Sequence, residues 1–297
     1  MAPFFVLEKF VNYLQVEKRY SDHTVIAYNN DVLQFIEFSE IQTVDDFKEI
    51  RSNLVRSWMV SLIENLIENK SVNRKLSSLR TFFKWMKKEH YIETNPLLKI
   101  TGPKQTKRLP SFAKESELSV EKTEEFFNQD YEGIRDRLMV EFFYQTGIRL
   151  SELINLKDID IQYDSIKVLG KRNKERIIPI SSELFELVCA YRNAKKELSL
   201  ESINFFVLIN GKNLYPKFVY RKINIYLGNA TSLDKCSPHV LRHTFATHML
   251  NNGAGLETLK DILGHANLSA TQIYTHNSFA KLTNIYSQAH PRGRKTN

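Results

Sequence analysis

Residues 101–116, TGPKQTKRLPSFAKES, constrain the fold more than any other stretch of this chain. Prolines, small polar residues and cations, with no apolar period, make a linker rather than a helix or strand. The linker divides the 297 residues into two parts, each long enough for its own core. The expected domains are therefore 1–100, a linker at 101–116, and 117–297.

The first part reads as helices. Val6, Phe10, Val11 and Leu14 recur at helical spacing. Ser21 can cap a second helix carrying Val25, Ile26, Val32, Leu33 and Phe35. A third runs roughly from Arg51 to Asn65, and Ser71 can cap a fourth with Val72, Leu76, Leu79, Phe83 and Met86 on one stripe. The second part is mixed. Helices fit Ser119–Asn128, Ile134–Thr146 and Ser151–Leu156, with Gly147 as a helix C-terminal residue. Ile159, Ile161, Ile166, Val168, Ile177, Ile178 and Ile180 suit strands around a GKRNK hairpin turn. Helices return from Ser181, interrupted by one short strand at Phe205–Ile209. The fold class is mainly α with a small antiparallel β-sheet.

Composition excludes several classes. The chain is 42% hydrophobic and 26% charged, as in ordinary globular proteins. Its cysteines, Cys189 and Cys236, form no disulfide framework and lack metal-ligand spacing. No apolar stretch approaches the roughly 20 residues of a membrane span. The start, MAPFFVLEKF, has no basic segment before its apolar run and is not a signal peptide. These features imply a cytoplasmic protein in a reducing compartment, with no membrane partner.

Charge is more informative once located. Lys plus Arg number 42 against 34 Asp plus Glu, a net +8. Residues 70–108 are dense in cations and contain only Glu89 and Glu93 as acids. Arg80, Lys84, Lys87 and Lys88 share one flank of the fourth helix, at i, i+4, i+7 and i+8. A charge run is usually a solvated face, but one that occupies a helix flank and continues into a linker fits a nucleic-acid surface. Fully extended, the linker reaches about 50 Å at roughly 3.3 Å per residue. A DNA major groove is about 12 Å wide, so two domains joined this way could grip a duplex.

Five features of the second part belong together. Arg149 lies in TGIRLSEL, just past a helix end, and Lys171 lies at the hairpin turn. In HVLRHTFATH, His239 and Arg242 sit at i, i+3 on one helix face. In LGHANLSATQIYTH, Gly264 can end a helix beginning near Leu256, His265 follows, and Tyr274 sits in a short helix capped by Ser269. The fifth feature is the lack of an HExxH motif or a Cys/His cluster with ligand spacing. Alone, Arg149, Lys171 and Tyr274 fit ordinary surface, turn and packing roles better than catalytic ones, and the His239–Arg242 motif fits a structural role as well as an anion site; His243 and His248 read as structural. Together they meet the demands of DNA strand cleavage in which side chains replace metal as the charge clamp. A hydroxyl attacks phosphorus, charge on the non-bridging oxygens is neutralised, and the leaving 5′ oxygen receives a proton. An arginine on a transferring phosphoryl group is worth about 10³–10⁵ in rate elsewhere. A tyrosine, whose phenol ordinarily ionises only near pH ~10, becomes a nucleophile when cations stabilise its phenolate.

The series Arg149, Lys171, His239-x-x-Arg242, His265, Tyr274 resembles the tyrosine recombinase, or phage integrase, family. TGIRLSEL, GKRNKERIIPI, SPHVLRHTFATHML and LGHANLSATQIYTH match its signatures, most closely those of the bacterial Xer recombinases. The resemblance implies a helical core-binding domain followed by a mixed α/β catalytic domain. It implies that Tyr274 forms a 3′-phosphotyrosyl bond while Arg149 and Arg242 clamp the phosphate. Lys171 would be the general acid, His239 an acid/base helper, and His265 a donor to a phosphate oxygen. No cofactor and no metal are implied. The family's hairpin reads Gly-Lys-Gly, whereas this chain has Gly170, Lys171 and Arg172. Glycine tolerates positive φ cheaply, so Asn173 is expected to take that conformation instead.

The resemblance also places the Pro216–Asn229 helix, with Lys217, Arg221 and Lys222, in the major groove of double-stranded DNA. It implies a homo- or hetero-tetramer on a recombination site, with a second Xer-type recombinase and a septal DNA translocase as partners. The amphipathic helix Phe279–Ala289 would dock into a neighbour, leaving PRGRKTN as a loose basic tail. Chromosome dimer resolution at a dif-like site is the expected role. An integrase or transposase of a mobile element is the first alternative, and a non-cutting DNA-binding protein the second. Integrases often carry an additional N-terminal arm-binding domain, whereas this chain begins at the core-binding helices.

Overall fold

The computed structural model describes residues 2–105, 111–170, 174–264 and 276–293. It divides into two compact units, 1–108 and 109–297, each with its own hydrophobic core. The division falls inside the expected linker, but both ends of that segment are tied down. The Asn69 and Asn73 side-chain amides donate to the carbonyls of Lys104 and Pro103 at 3.0 and 2.9 Å. On the other side Ala113 is buried, its N–H donating to Thr244 Oγ1 at 3.0 Å. Residues 106–110, in the middle of the expected linker, lie outside the described residues.

Unit 1 contains α1 (Pro3–Asn12), continued by a π turn at Tyr13–Glu17, α2 (Asp22–Phe38), α3 (Asp46–Glu49), α4 (Ser52–Glu64) and α5 (Asn69–Lys88). Its core is aromatic: Phe10 packs on Phe82 and Trp85, and Phe35 on Trp58 and Phe83. Ser21 precedes α2 as expected, but its hydroxyl pairs with Thr24 Oγ1 at 2.9 Å instead of capping a backbone amide. Ser71 does not cap α5. The chain turns at Leu66 (φ 60°), extended Glu68 takes the cap position, and the Ser71 N–H already donates to the Glu68 carbonyl at 2.8 Å.

Unit 2 is built round α7 (Tyr131–Thr146), whose residues are buried on every side. Asp130 caps it, accepting from the Gly133 N–H at 2.7 Å. Gly147 ends it at φ 60°, the left-handed conformation expected there. Before α7 lies the short α6 (Val120–Glu124), and after it α8 (Leu150–Ile154). Strands β1 (Ser165–Leu169) and β2 (Glu175–Pro179) pair antiparallel, with Ile166 opposite Ile178 and Val168 opposite Arg176. Ile159 is not in a strand: Asp158–Asp160 forms a 3₁₀ turn, and Ile161 makes only an isolated bridge. Nor do Phe205–Ile209 form a strand. Phe205, Phe206 and Val207 are fully buried and joined to the rest by isolated bridges, so their apolarity serves the core without a partner strand.

The remaining helices are α9 (Ser182–Glu197), α10 (Pro216–Ala230), α11 (Pro238–Asn251), α12 (Leu256–Leu263) and α13 (His276–Ala289). In the single chain α13 packs on its own domain, with Leu282, Tyr286 and Ala289 buried and α13 against α11 and β2. Of the expected tail PRGRKTN only Pro291–Gly293 are described, and Arg292 is bonded to the domain. Arg292 Nη2 donates to Glu141 Oε1 at 2.9 Å and to the Leu118 carbonyl at 2.8 Å. His290, fully buried, donates from Nε2 to the Tyr144 carbonyl at 3.1 Å, and its Nδ1 accepts the Arg292 N–H at 3.1 Å.

Candidate functional site

Two left-handed glycines set the site. Gly147 ends α7, and two residues on Arg149 opens α8; Ile148 between them is fully buried and fixes the turn. Gly264 (φ 64°) ends α12 and presents its carbonyl to Arg149 Nη2 at 2.8 Å. Arg242 reaches the same place from α11. Its Nη2 donates to the Leu263 carbonyl at 2.7 Å, and its Nη1 donates to the Gly147 carbonyl. The two arginines, 93 residues apart in sequence, thus bind adjacent carbonyls, those of Leu263 and Gly264.

A carboxylate and a third arginine complete the network. Glu152, on α8, accepts from Arg149 twice: from Nη1 at 2.7 Å and from the backbone N–H at 2.8 Å. Arg176, buried on β2, grips the same carboxylate with both Nη atoms, at 2.9 and 2.8 Å. Burial alone would raise the Glu152 pKa, but the Arg176 and Arg149 bonds override it and hold the group at about 2. Arg242 is pushed down to about 10, first by burial and then by repulsion from Arg149 and Arg176, with Glu152 opposing. It stays charged at neutral pH. Three guanidinium groups face one carboxylate, leaving a positive excess that suits an anionic phosphate.

His239, in the first turn of α11, is exposed one helical turn before Arg242. The structure thus brings Arg149 and Arg242 together, with His239 on the same helix as Arg242. Lys171, His265 and Tyr274 lie outside the described residues, as does the Arg172–Asn173 turn. Glu152 and Arg176 escaped sequence reasoning. The available signals were a glutamate three residues after Arg149 in TGIRLSEL, and an arginine alternating with Ile178 on the inward face of a strand. His248 is structural, as read from sequence: it is buried, with Nδ1 at 3.1 Å from the Tyr144 hydroxyl and Nε2 at 2.9 Å from the Ala113 carbonyl. Among the described residues no group of His, Cys, Asp or Glu could hold a metal ion. No helix there is long and apolar enough to cross a membrane.

The expected DNA-facing cations divide in two. On α5, Lys84 and Lys87 are exposed, whereas Arg80 donates to the Ile100 carbonyl at 2.9 Å and Lys88 pairs with Glu17 at 3.5 Å. Nearby Arg74 and Lys75 are drawn to buried Asp31, with Lys75 at 3.1 Å, so they belong partly to the core. On α10, Lys217 and Arg221 are exposed, but Lys222 pairs with Asp136 at 2.7 Å.

The fold and this arginine cluster define a class of DNA strand-transfer enzymes, and comparison with known proteins agrees. The phage integrase family model matches residues 116–281, and the phage integrase N-terminal SAM-like domain matches residues 7–90. The chain belongs to the phage integrase family of tyrosine recombinases, enzymes that cleave and rejoin DNA. It is 36% identical to tyrosine recombinase XerC of Bacillus subtilis (strain 168), over 97% of each chain. It is 37% identical to tyrosine recombinase XerC of Staphylococcus aureus (strain N315), over 98% of each. Among solved structures it resembles XerH bound to a palindromic difH substrate, with TM-score 0.73 and 22% identity over 95% of this chain and 83% of that one. It also resembles a lambda integrase dimer bound to a COC' core site, with TM-score 0.69 and 17% identity over 100% of this chain and 79% of that one.

Proposed function

We propose that this recombinase cuts DNA through Tyr274 and acts at a dif-like chromosomal site. The Tyr274 oxygen attacks the scissile phosphorus and the bond to the 5′ oxygen breaks, leaving a 3′-phosphotyrosyl ester. Arg149 and Arg242 neutralise the non-bridging oxygens, with His265 as a further donor. Lys171 gives a proton to the departing 5′ oxygen, and His239 handles the tyrosine proton. The 5′ hydroxyl of another strand then reverses the step on the new partner. Each step exchanges one phosphodiester bond for another, so no ATP is consumed. The observation that carries this reading is the convergence of the Arg149 and Arg242 guanidiniums on the carbonyls of Leu263 and Gly264, immediately before His265.

Xer-type chromosome dimer resolution fits the full-length likeness to XerC recombinases. In that role a tetramer assembles on two duplexes, as identical chains or with a second Xer-type recombinase, under a septal DNA translocase. The test is a nicked suicide DNA carrying the dif-like site of the same genome, incubated with the protein in EDTA and run on a denaturing gel. A covalent adduct that disappears in Tyr274→Phe is the expected result. Arg149→Ala and Arg242→Ala should each lower its formation by about 10³-fold or more. Adducts that persist in Tyr274→Phe would refute the nucleophile. Adducts only on the ends of a resident mobile element would move the biology to an integrase.

A further inference from the structure

Arg176 is too well placed to be only a core ion pair. Its side chain is 5% exposed, and each of its three nitrogens donates a bond. Nη1 and Nη2 go to the two oxygens of Glu152, and Nε goes to the Ile262 carbonyl at 2.7 Å. One residue of β2 therefore ties α8, where Arg149 begins, to the end of α12, whose Leu263 and Gly264 carbonyls anchor Arg242 and Arg149. Gly264 fits tightly against it: a Cβ there would lie 3.0 Å from Arg176 Cδ.

We propose that Arg176 is a positioning residue for strand cleavage, holding Glu152 and through it the Arg149 guanidinium at the scissile phosphate. The inference rests on the phosphate-clamp role proposed above for Arg149 and Arg242. Two physical effects follow from the bonds. The first is geometric: the bidentate grip leaves the Glu152 carboxylate one orientation, and that orientation fixes both the backbone and the side chain of Arg149. The second is electrostatic. Arg176 neutralises Glu152, so Arg149 and Arg242 act as cations toward the phosphate. Without Arg176 the full charge of Glu152 falls on Arg149, which becomes half of a neutral pair and turns from the substrate. A lysine keeps the charge at this position but loses the fork.

The test uses the full-length protein and the nicked suicide DNA in two forms. One has the natural scissile phosphate. The other has a methylphosphonate, in which a neutral methyl replaces one charged oxygen and removes the charge that the clamp opposes. Adduct formation by Arg176→Gln and Arg176→Lys is timed on both, beside DNA affinity and thermal melting. On the phosphate, Arg176→Gln should cleave about 10²-fold more slowly than wild type while binding DNA equally well, with Arg176→Lys between them. On the methylphosphonate the deficit should largely vanish. Combined with Glu152→Gln, Arg176→Gln should be no slower than the slower single variant, because both act through one network. Equal deficits on the two substrates, a wild-type rate, additive losses, or failure of both Arg176 variants to fold would each overturn the proposal. A wild-type protein that forms no adduct would remove the clamp reading as well, whereas wild-type cleavage with unimpaired Arg176→Gln would remove this inference alone.

Discussion

Gly147 and Gly264 do at the backbone what the arginines do with their side chains. Both sit at positive φ, 60° and 64°, and each offers its carbonyl to an arginine, Gly147 to Arg242 and Gly264 to Arg149. A Cβ at Gly147 would lie 2.6 Å from Phe245 Cδ1 and 2.8 Å from Leu263 Cδ2. Gly147→Ala adds left-handed strain of about 1–2 kcal/mol to overpacking of about 1–3 kcal/mol. It should lower stability in urea unfolding and slow adduct formation, since the Arg242 carbonyl partner moves. Gly264→Ala meets Arg176 Cδ at 3.0 Å, a looser approach than either contact at Gly147, and should be the milder in melting; the reverse ranking would refute this account. The sequence showed both glycines as helix ends, together with Arg149, His239 and Arg242. It did not show Arg176 as part of the site, because a charged residue on the inward face of a strand gains meaning only from its partner. That partner, Glu152, lies 24 residues away in sequence and meets it only after folding.

Among the elements, long amphipathic helices were legible, since α2, α4, α5 and α10 repeat apolar residues at helical spacing over many turns. Short elements were not. Phe205–Ile209 had the composition of a strand but pairs only through an isolated bridge at Val207, and Ile159 sits 77% exposed in a 3₁₀ turn. Charge was legible only in sum. On α10 the cations Lys217 and Arg221 project to solvent, while Lys222 turns to Asp136 on α7. Lys217→Ala and Arg221→Ala should each reduce the slope of log affinity against log salt by about 0.9, one phosphate contact apiece. Lys222→Ala should leave that slope unchanged and cost about 1 kcal/mol of stability. Fluorescence anisotropy across a salt series separates the two behaviours. A slope change for Lys222→Ala matching that of Arg221→Ala would mean that its pair with Asp136 opens on DNA.

The whole molecule has two cores, and the second buries titratable rings. Unit 1 carries His23 and His90, both exposed. Unit 2 buries His248 and His290 on either side of Tyr144, and both are bonded as neutral rings. Burial, only partly offset by the bond to the Tyr144 carbonyl, lowers the His290 pKa to about 3, with Arg292 and His248 adding to the shift; burial also lowers that of His248. Protonating His290 at Nδ1 would remove the acceptor of the Arg292 N–H and place a second cation beside that guanidinium. Between the unfolded value near 6.5 and the folded value, the unfolded chain binds more protons than the folded one. Stability is therefore full above pH 6.5 and falls as the pH drops below it, by about 1.4 kcal/mol per unit for His290. By pH 5 the catalytic unit should lose about 2 kcal/mol from His290, roughly 4–8 °C in Tm. Calorimetry should show the transition of the catalytic unit moving down with acid. In His290→Gln, whose amide can keep both the donor and the acceptor without titrating, the moving transition should flatten. An equally steep fall in His290→Gln would place the acid sensitivity in some other group.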